Sequence, residues 1–185
     1  MIVPSTPAST RERMRSSHAG PAKGFSEDIA LILLPAAFDY APTVWAARAV
    51  VDRMVARGGG YFLVTASAAG LLNIVESASY GVTKHGAVAF AEWLAIAYGR
   101  KGLHVSCLCP QAVVTGMYQG DGGSAGVDGA LTAEQVADEI VKVMAEEKFL
   151  ILPHPQVLEY MRAKTANYDR WIGGRQKIFL KHQGE

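Results

Sequence analysis

The chain has few cysteines, little net charge and no long hydrophobic run. Its two cysteines, Cys107 and Cys109, lie two residues apart in a predicted strand. They are too close for an ordinary structural disulfide, so we predict buried free thiols and a reducing, cytoplasmic setting. A formal net charge of +1 gives no electrostatic reason to expect nucleic acid or an acidic membrane surface as a partner. No apolar run approaches the ~20 residues that span a bilayer. His85 and His104 have no partner at metal-ligand spacing, and no metal site is predicted.

What is present is the composition of a globular protein. Of the 185 residues, 50% are hydrophobic and 19% are charged, which is typical of a folded domain and unlike a disordered chain. The segment 1–28 is rich in Ser, Thr, Pro and Arg, and we predict a disordered tail there. The segment 29–172 is predicted to be one folded unit, and 173–185 a loosely held end.

The pattern of apolar residues, prolines and glycines predicts alternating strands and helices. The order strand, helix, strand implies a parallel sheet with helical crossovers. Gly58–Gly60 ends the first helix, and the glycine-rich segment Gly116–Gly129 is predicted to be flexible. The predicted strands are Ile29–Leu34, Tyr61–Ala66, Leu103–Cys109 and Phe149–Leu152, and the predicted helices are Val44–Val55, Ser79–Tyr98, Thr132–Glu146 and Gln156–Tyr168.

Three residues carry the chemistry. Tyr80 and Lys84 stand four apart on a predicted helix, so they project from one face. An ammonium held beside a phenol stabilises the phenolate and makes the tyrosine a better proton donor and acceptor. Ser67 follows a predicted strand and could hydrogen-bond the oxygen of a carbonyl or alcohol between them. The set predicts a proton-transfer site for interconverting an alcohol and a ketone, with the hydride supplied by a cofactor.

A further motif, Pro110-Gln-Ala-Val113-Val-Thr115, follows the next predicted strand. With Ser67, Tyr80 and Lys84 it resembles the short-chain dehydrogenase/reductase family, which usually has glycine where this chain has Gln111. The resemblance implies an α/β fold, a partial doubly wound, Rossmann-like parallel sheet with flanking helices, of which 29–172 would be the carboxyl-terminal part. It implies NAD or NADP as cofactor, contacted by Tyr80, Lys84, Pro110, Val113 and Thr115.

The same resemblance implies a homodimer or homotetramer formed through the two long helices. The family's Thr-Gly-x-x-x-Gly-x-Gly turn, which holds the cofactor pyrophosphate at a helix start, has no counterpart here. Before Val44 the chain has only Gly20 and Gly24, so the first strands of the family fold are expected to be absent. A loose alignment puts Asp39 where the family often has asparagine, and we assign it no catalytic role. Two functions therefore stay open: an NAD(P)-dependent oxidoreductase, or a truncated, non-catalytic family member that acts as a binding or assembly partner.

Overall fold

A computed structural model describes residues 41–115 and 123–184 of the chain. The predicted tail 1–28, the predicted strand Ile29–Leu34 and Asp39 lie outside the described residues. In the described ranges the α-helices are α1 (Ala41–Ala56), α2 (Ala69–Leu72), α3 (Ala78–Tyr98), α4 (Ala133–Ala145), α5 (Gln156–Ala166) and α6 (Tyr168–Gln183), and the strands are β1 (Gly60–Thr65), β2 (Leu103–Leu108) and β3 (Leu150–Ile151).

The strands form a parallel sheet in the order β1-β2-β3. Gly60 is paired with Leu103 at one end of the β1–β2 ladder and Thr65 with Leu108 at the other, and Cys107 is paired with Leu150 on β3. Because the strands are parallel, their carboxyl ends lie along one edge of the sheet. The α/β class and the parallel sheet predicted from the sequence are confirmed.

Helices cover both faces of the sheet. Successive side chains of a strand point to opposite faces, and β2 follows this rule: Val105 and Cys107 pack with the core residues of α1 and α3, whereas Leu108 packs with Val136 and Val143 of α4. Burial on both faces explains why every residue of β2 except His104 is buried.

The two thiols lie inside the first of these clusters. Cys107 and Cys109 are both fully buried and free, with their Sγ atoms 3.7 Å apart. The contact with Cys109, followed by burial, raises the pKa of the Cys107 thiol, which disfavours the reactive thiolate. The prediction of buried free thiols is confirmed.

Glycine allows the two turns that precede β1 and β2 to touch. Gly59 has φ 138° and Gly102 has φ 85°, both in the region that favours glycine. A Cβ on Gly102 would lie 2.6 Å from the Gly58 carbonyl oxygen. The prediction that Gly58–Gly60 ends the first helix is confirmed, since α1 ends at Ala56.

The helices match the predicted ranges closely where capping signals are strong. Ser77 caps α3, and its Oγ accepts a hydrogen bond from the Tyr80 amide. A capping box joins Thr132 and Gln135 at the start of α4.

The carboxyl-terminal part of the chain differs from the sequence prediction. A single helix was predicted over Gln156–Tyr168, but the chain breaks at Asn167, whose extended backbone ends α5 and whose side chain caps α6 through the Arg170 amide at 2.8 Å. The helix α6 was not predicted, because Gly173 and Gly174 disfavour a helix interior. No residue of α6 is buried, and how firmly 173–185 is held stays a prediction.

Candidate active site

Ser67 lies just beyond the carboxyl end of β1, where it meets the segment that follows β2. The amide of Ala66 donates to the Leu108 carbonyl at 2.9 Å, and the amide of Ala68 donates to the Pro110 carbonyl at 2.8 Å. The Ser67 Oγ accepts from the Ala69 amide at 3.1 Å and donates to the Pro110 carbonyl at 3.5 Å. The second bond is long and therefore weak, so the hydroxyl proton is only loosely committed to the protein.

Tyr80 and Lys84 lie in the first turns of α3. Both side chains are partly buried, and the Lys84 Nζ is 5.4 Å from the centre of the Tyr80 ring. This distance is within the range of a cation–π contact. Among the described residues, none of the ion pairs involves Lys84. The lysine therefore presents its charge to the tyrosine and to the space in front of it.

Gly70, which belongs to α2, allows that helix to lie directly against α3 at the position of Lys84. A Cβ on Gly70 would lie 2.8 Å from both the Lys84 carbonyl carbon and Val88 Cγ2, and closer still to the Lys84 carbonyl oxygen. A glycine is required by this close approach of two backbones. The glycine three residues after Ser67 thus sets how near the serine segment comes to the lysine.

A cavity of about 950 Å³ opens at this edge of the sheet. Its volume is near the upper end of the usual range for ligand sites in proteins. The structure brings all the predicted site residues to its wall: Ser67, Tyr80, Lys84, Pro110, Val113 and Thr115.

Gln111, which departs from the family pattern, anchors the segment after β2. Its Nε2 donates to Asp128 Oδ2 at 2.7 Å, and Asp128 Oδ1 accepts from the Tyr160 hydroxyl at 3.0 Å. Its backbone amide donates to His154 Nδ1 at 3.2 Å. A glycine in place of Gln111 would lose only the side-chain bond to Asp128, so the departure adds a side-chain tie rather than removing a contact.

His154 is buried beneath this segment. Since Nδ1 accepts from an amide, the ring proton is on Nε2, which donates to the Gly129 carbonyl at 3.3 Å. Burial lowers the pKa of His154, outweighing the opposite effects of the Gly129 bond and of Asp128. The neutral imidazole is the form that this network requires.

Hydrogen bonds to Glu76 hold Ser124, another residue that lines the cavity. The Glu76 carboxylate accepts from the Ser124 amide at 2.5 Å and from the Ser124 hydroxyl at 2.7 Å. Burial raises the pKa of Glu76, but the hydrogen bonds, chiefly those from Ser124, outweigh it and the net pKa is lowered.

Another part of the cavity wall comes from α5 and α6, to which no site residue was assigned from the sequence. Trp171, Gly174, Arg175 and Ile178 recur at a spacing of three or four residues, so they share one face of α6, and all four line the cavity. This spacing and the capping residue Asn167 both indicate a helix in the sequence. The adjacent Gly173 and Gly174 argue against one, so α6 was not predicted.

Comparison with known proteins agrees with the fold and the motif. Residues 37–123 match the model of the short chain dehydrogenase family, a range that includes Ser67, Tyr80, Lys84 and the segment after β2. Over this range the chain is similar to the short-chain dehydrogenase family. The match is local, because the chain spans only 36%, 48% and 40% of the length of three curated relatives.

All three relatives are named as dehydrogenases or dehydrogenase/reductases. The chain is 34% identical over 110 residues to dehydrogenase/reductase SDR family member 7B of Danio rerio, covering 55% of this chain and 36% of that protein. It is 35% identical over 111 residues to 1-deoxy-11-beta-hydroxypentalenate dehydrogenase of Streptomyces exfoliatus, covering 58% of this chain and 40% of the relative.

Among solved structures, a short-chain dehydrogenase from Sphingobium yanoikuyae in complex with NADPH has a TM-score of 0.56 to this chain at 21% identity. The alignment covers 94% of this chain and 70% of that one. At this identity the likeness establishes a shared fold.

Of the helices described here, none has the length and apolar character needed to cross a membrane. The described ranges also hold no group of three His, Cys, Asp or Glu residues that could bind a metal ion.

Proposed function

We propose that this chain carries the proton-transfer site of an NAD(P)-dependent oxidoreductase that interconverts a secondary alcohol and a ketone. The observation that supports the proposal is the convergence of Ser67, Tyr80 and Lys84 on one cavity at the carboxyl ends of β1 and β2. Ligands of open α/β sheets bind at this edge.

Each of the three residues has a distinct role in the proposal. Tyr80 donates its phenolic proton to the carbonyl oxygen during reduction and recovers it from the alcohol during oxidation. Lys84 stabilises the phenolate by its positive charge. Ser67 turns its weakly held hydroxyl proton toward the substrate oxygen and fixes that oxygen beside Tyr80.

The residues at the cavity wall suit the nicotinamide end of a dinucleotide. Pro110, Val113 and Thr115 would contact the ring, and Tyr80 and Lys84 would contact the ribose that carries it. NAD or NADP supplies, when bound, the hydride that no side chain can provide. Support comes from the fold shared with the NADPH-bound Sphingobium yanoikuyae structure.

The test is the oxidation of NADPH and NADH, followed at 340 nm with 1-phenyl-1-propanone as a ketone. Replacing Tyr80 with Phe removes the proton donor but keeps the ring, and we expect turnover to fall by a factor of ~100 or more. Tyr168→Phe is the matched control, because Tyr168 is exposed on α6 and lies outside the cavity wall, and it should leave the rate unchanged.

Equal turnover by Tyr80→Phe and the unaltered chain would remove the tyrosine from the mechanism. If calorimetry detects no binding of either nucleotide at millimolar concentration, the non-catalytic alternative replaces the oxidoreductase. The two measurements thus separate loss of chemistry from loss of cofactor binding.

We further propose that the chain forms a homodimer or homotetramer through α1 and α3. Val82, Ala89 and Ile96 are exposed at seven-residue spacing on α3, which places three apolar side chains on one stripe. Ile96→Glu should reduce the molar mass measured by light scattering after size exclusion. Val141→Glu, on the exposed face of α4, should not change it, and equal masses for all three proteins would refute this interface.

The setting that we propose is the cytoplasm, in keeping with two cysteines that are both buried and free.

A further inference from the structure

The cavity wall built by α6 combines a large apolar surface with a cation. Trp171 and Ile178 lie on this wall, and Leu72, Ile74 and Val127 line other parts of the same cavity. A substrate that fills the space in front of Tyr80 therefore needs a bulky apolar body.

Arg175 is the unusual residue of this wall. Its side chain is half-buried, and its guanidinium lies over the Trp171 ring at 5.6 Å from the ring centre. Burial lowers the pKa of Arg175, although Glu76 acts in the opposite direction. An arginine stays charged in spite of such a shift, so the wall holds a partly desolvated positive charge.

No ion pair among the described residues satisfies that charge. Glu76 is the carboxylate whose charge acts on Arg175, but both of its oxygens accept hydrogen bonds from Ser124. No carboxylate in residues 41–115 or 123–184 lies within 4.0 Å of the Arg175 guanidinium. A charge removed from water without a partner is costly. The cation–π contact with Trp171 leaves the N–H groups of Arg175 their capacity to donate.

Arg170 adds a second positive charge to the same wall. Its backbone is fixed by the cap from Asn167 at 2.8 Å, and its side chain lines the cavity without an ion-pair partner among the described residues. Arg170 is exposed, whereas Arg175 is half-buried, so Arg175 is the guanidinium better placed to bind an anion inside the cavity. Arginine binds carboxylates with paired, charge-assisted hydrogen bonds.

We infer that the substrate is an oxo acid or hydroxy acid: an apolar body that ends in a carboxylate, which Arg175 binds, with Arg170 on the same helix as a second, exposed positive charge. This inference rests on the proposed function for the position of the reacting oxygen, which Tyr80 and Ser67 hold in the same cavity. The carboxylate site itself does not depend on hydride transfer.

The experiment compares two ligands with the same body, 5-oxo-5-phenylpentanoate and its methyl ester. Binding is measured by quenching of tryptophan fluorescence and by calorimetry, with no cofactor added. For the unaltered chain we expect the acid to bind about tenfold more tightly than the ester, since a charge-assisted hydrogen bond is lost in the ester. Equal binding of the two ligands would overturn the inference without any variant.

Variants then assign the effect to a residue. Arg175→Gln should weaken binding of the acid about tenfold and leave the ester within twofold, and Arg170→Gln should have a smaller effect of the same kind. Arg162→Gln is the matched control: Arg162 is exposed on α5 and does not line the cavity. Circular dichroism shows whether each variant retains its helices.

The remaining outcomes separate this inference from its competitors. Equal weakening of acid and ester by Arg175→Gln would mean that Arg175 only supports Trp171. A loss of NADPH binding in Arg175→Gln with unchanged acid binding would assign the guanidinium to a cofactor phosphate. Either result refutes the carboxylate site. Acid-selective binding in a chain that never turns over would refute the proposed function and support the inference.

Discussion

Replacing Gly70 with alanine should destabilise the protein and displace the lysine of the candidate site. The added Cβ would lie 2.8 Å from the Lys84 carbonyl carbon and from Val88 Cγ2. Carbon atoms in contact prefer about 3.5 Å or more, so α2 and α3 must separate by about 0.7 Å. The obstacle is partly backbone, which cannot move aside as a flexible side chain can.

The size of the effect follows from two opposing contributions. Inserting a methyl group into a filled interior costs about 1–3 kcal/mol of unfolding free energy. Alanine is favoured over glycine in a helix by about 1 kcal/mol, but α2 has only four residues, so this gain is incomplete. We expect a net loss of about 1–2 kcal/mol, or about 2–8 °C in Tm for a chain of this length.

Urea unfolding followed by circular dichroism measures this loss as a lower midpoint. Gly99→Ala is the matched control, since a Cβ at Gly99 meets no atom within 4 Å and its φ is −56°. This control should be neutral or slightly stabilising. A midpoint for Gly70→Ala equal to that of Gly99→Ala would refute the close approach of α2 and α3.

Three further predictions concern the ties around the cavity and the cap of α4. Burial holds the pKa of His154 below its usual 6.5, so the unfolded chain binds the proton more readily than the folded chain. The contribution of neutral His154 to the free energy of unfolding is therefore complete above pH ~6.5 and is lost as the pH falls through the folded pKa. Thermal unfolding from pH 7.5 to 5 should show a smaller decline in His154→Gln than in the unaltered chain, and parallel declines would contradict this. Tyr160→Phe removes the 3.0 Å bond to Asp128 and should cost about 1 kcal/mol in urea unfolding; an unchanged midpoint would show that water replaces the hydroxyl. Thr132→Ala breaks the capping box of α4 and should also cost about 1 kcal/mol, and an unchanged midpoint would show that the first turn of α4 frays before global unfolding.

The sequence predicted the parts of the fold in which one signal dominates. β1, β2 and α3 were predicted to within one or two residues, because a buried parallel strand is a short apolar run and α3 begins at a polar cap. β3 was predicted as Phe149–Leu152 and is only Leu150–Ile151, since pairing with β2 and not composition decides where a strand ends.

The candidate site was predictable on one side only. Ser67, Tyr80 and Lys84 line the same cavity because local spacing and parallel strand pairing bring them together. Both the spacing and the parallel pairing could be predicted from the sequence. Arg175 acquires its position from the break at Asn167 and from the fold of α5 and α6 over the sheet edge. The contact between Arg175 and Trp171 follows from their four-residue spacing, but only once α6 is known to be a helix.

The two walls of the cavity are joined by the residue that departs from the family pattern. Gln111 follows β2, and its side chain binds Asp128, which in turn binds Tyr160 on α5. With glycine in this position the side-chain connection to Asp128 would not exist, and only backbone hydrogen bonds, to Ala125, Leu131 and His154, would tie the segment after β2 to this part of the chain. Because a connected network resists displacement of any one member, the position of the α5–α6 wall is coupled to that of Pro110 and hence to the carbonyl that receives the Ser67 hydroxyl. The proposed carboxylate site and the proposed proton-transfer site would therefore be held at a fixed separation, which is the condition for selecting a substrate by the distance between its acid group and its reacting carbon.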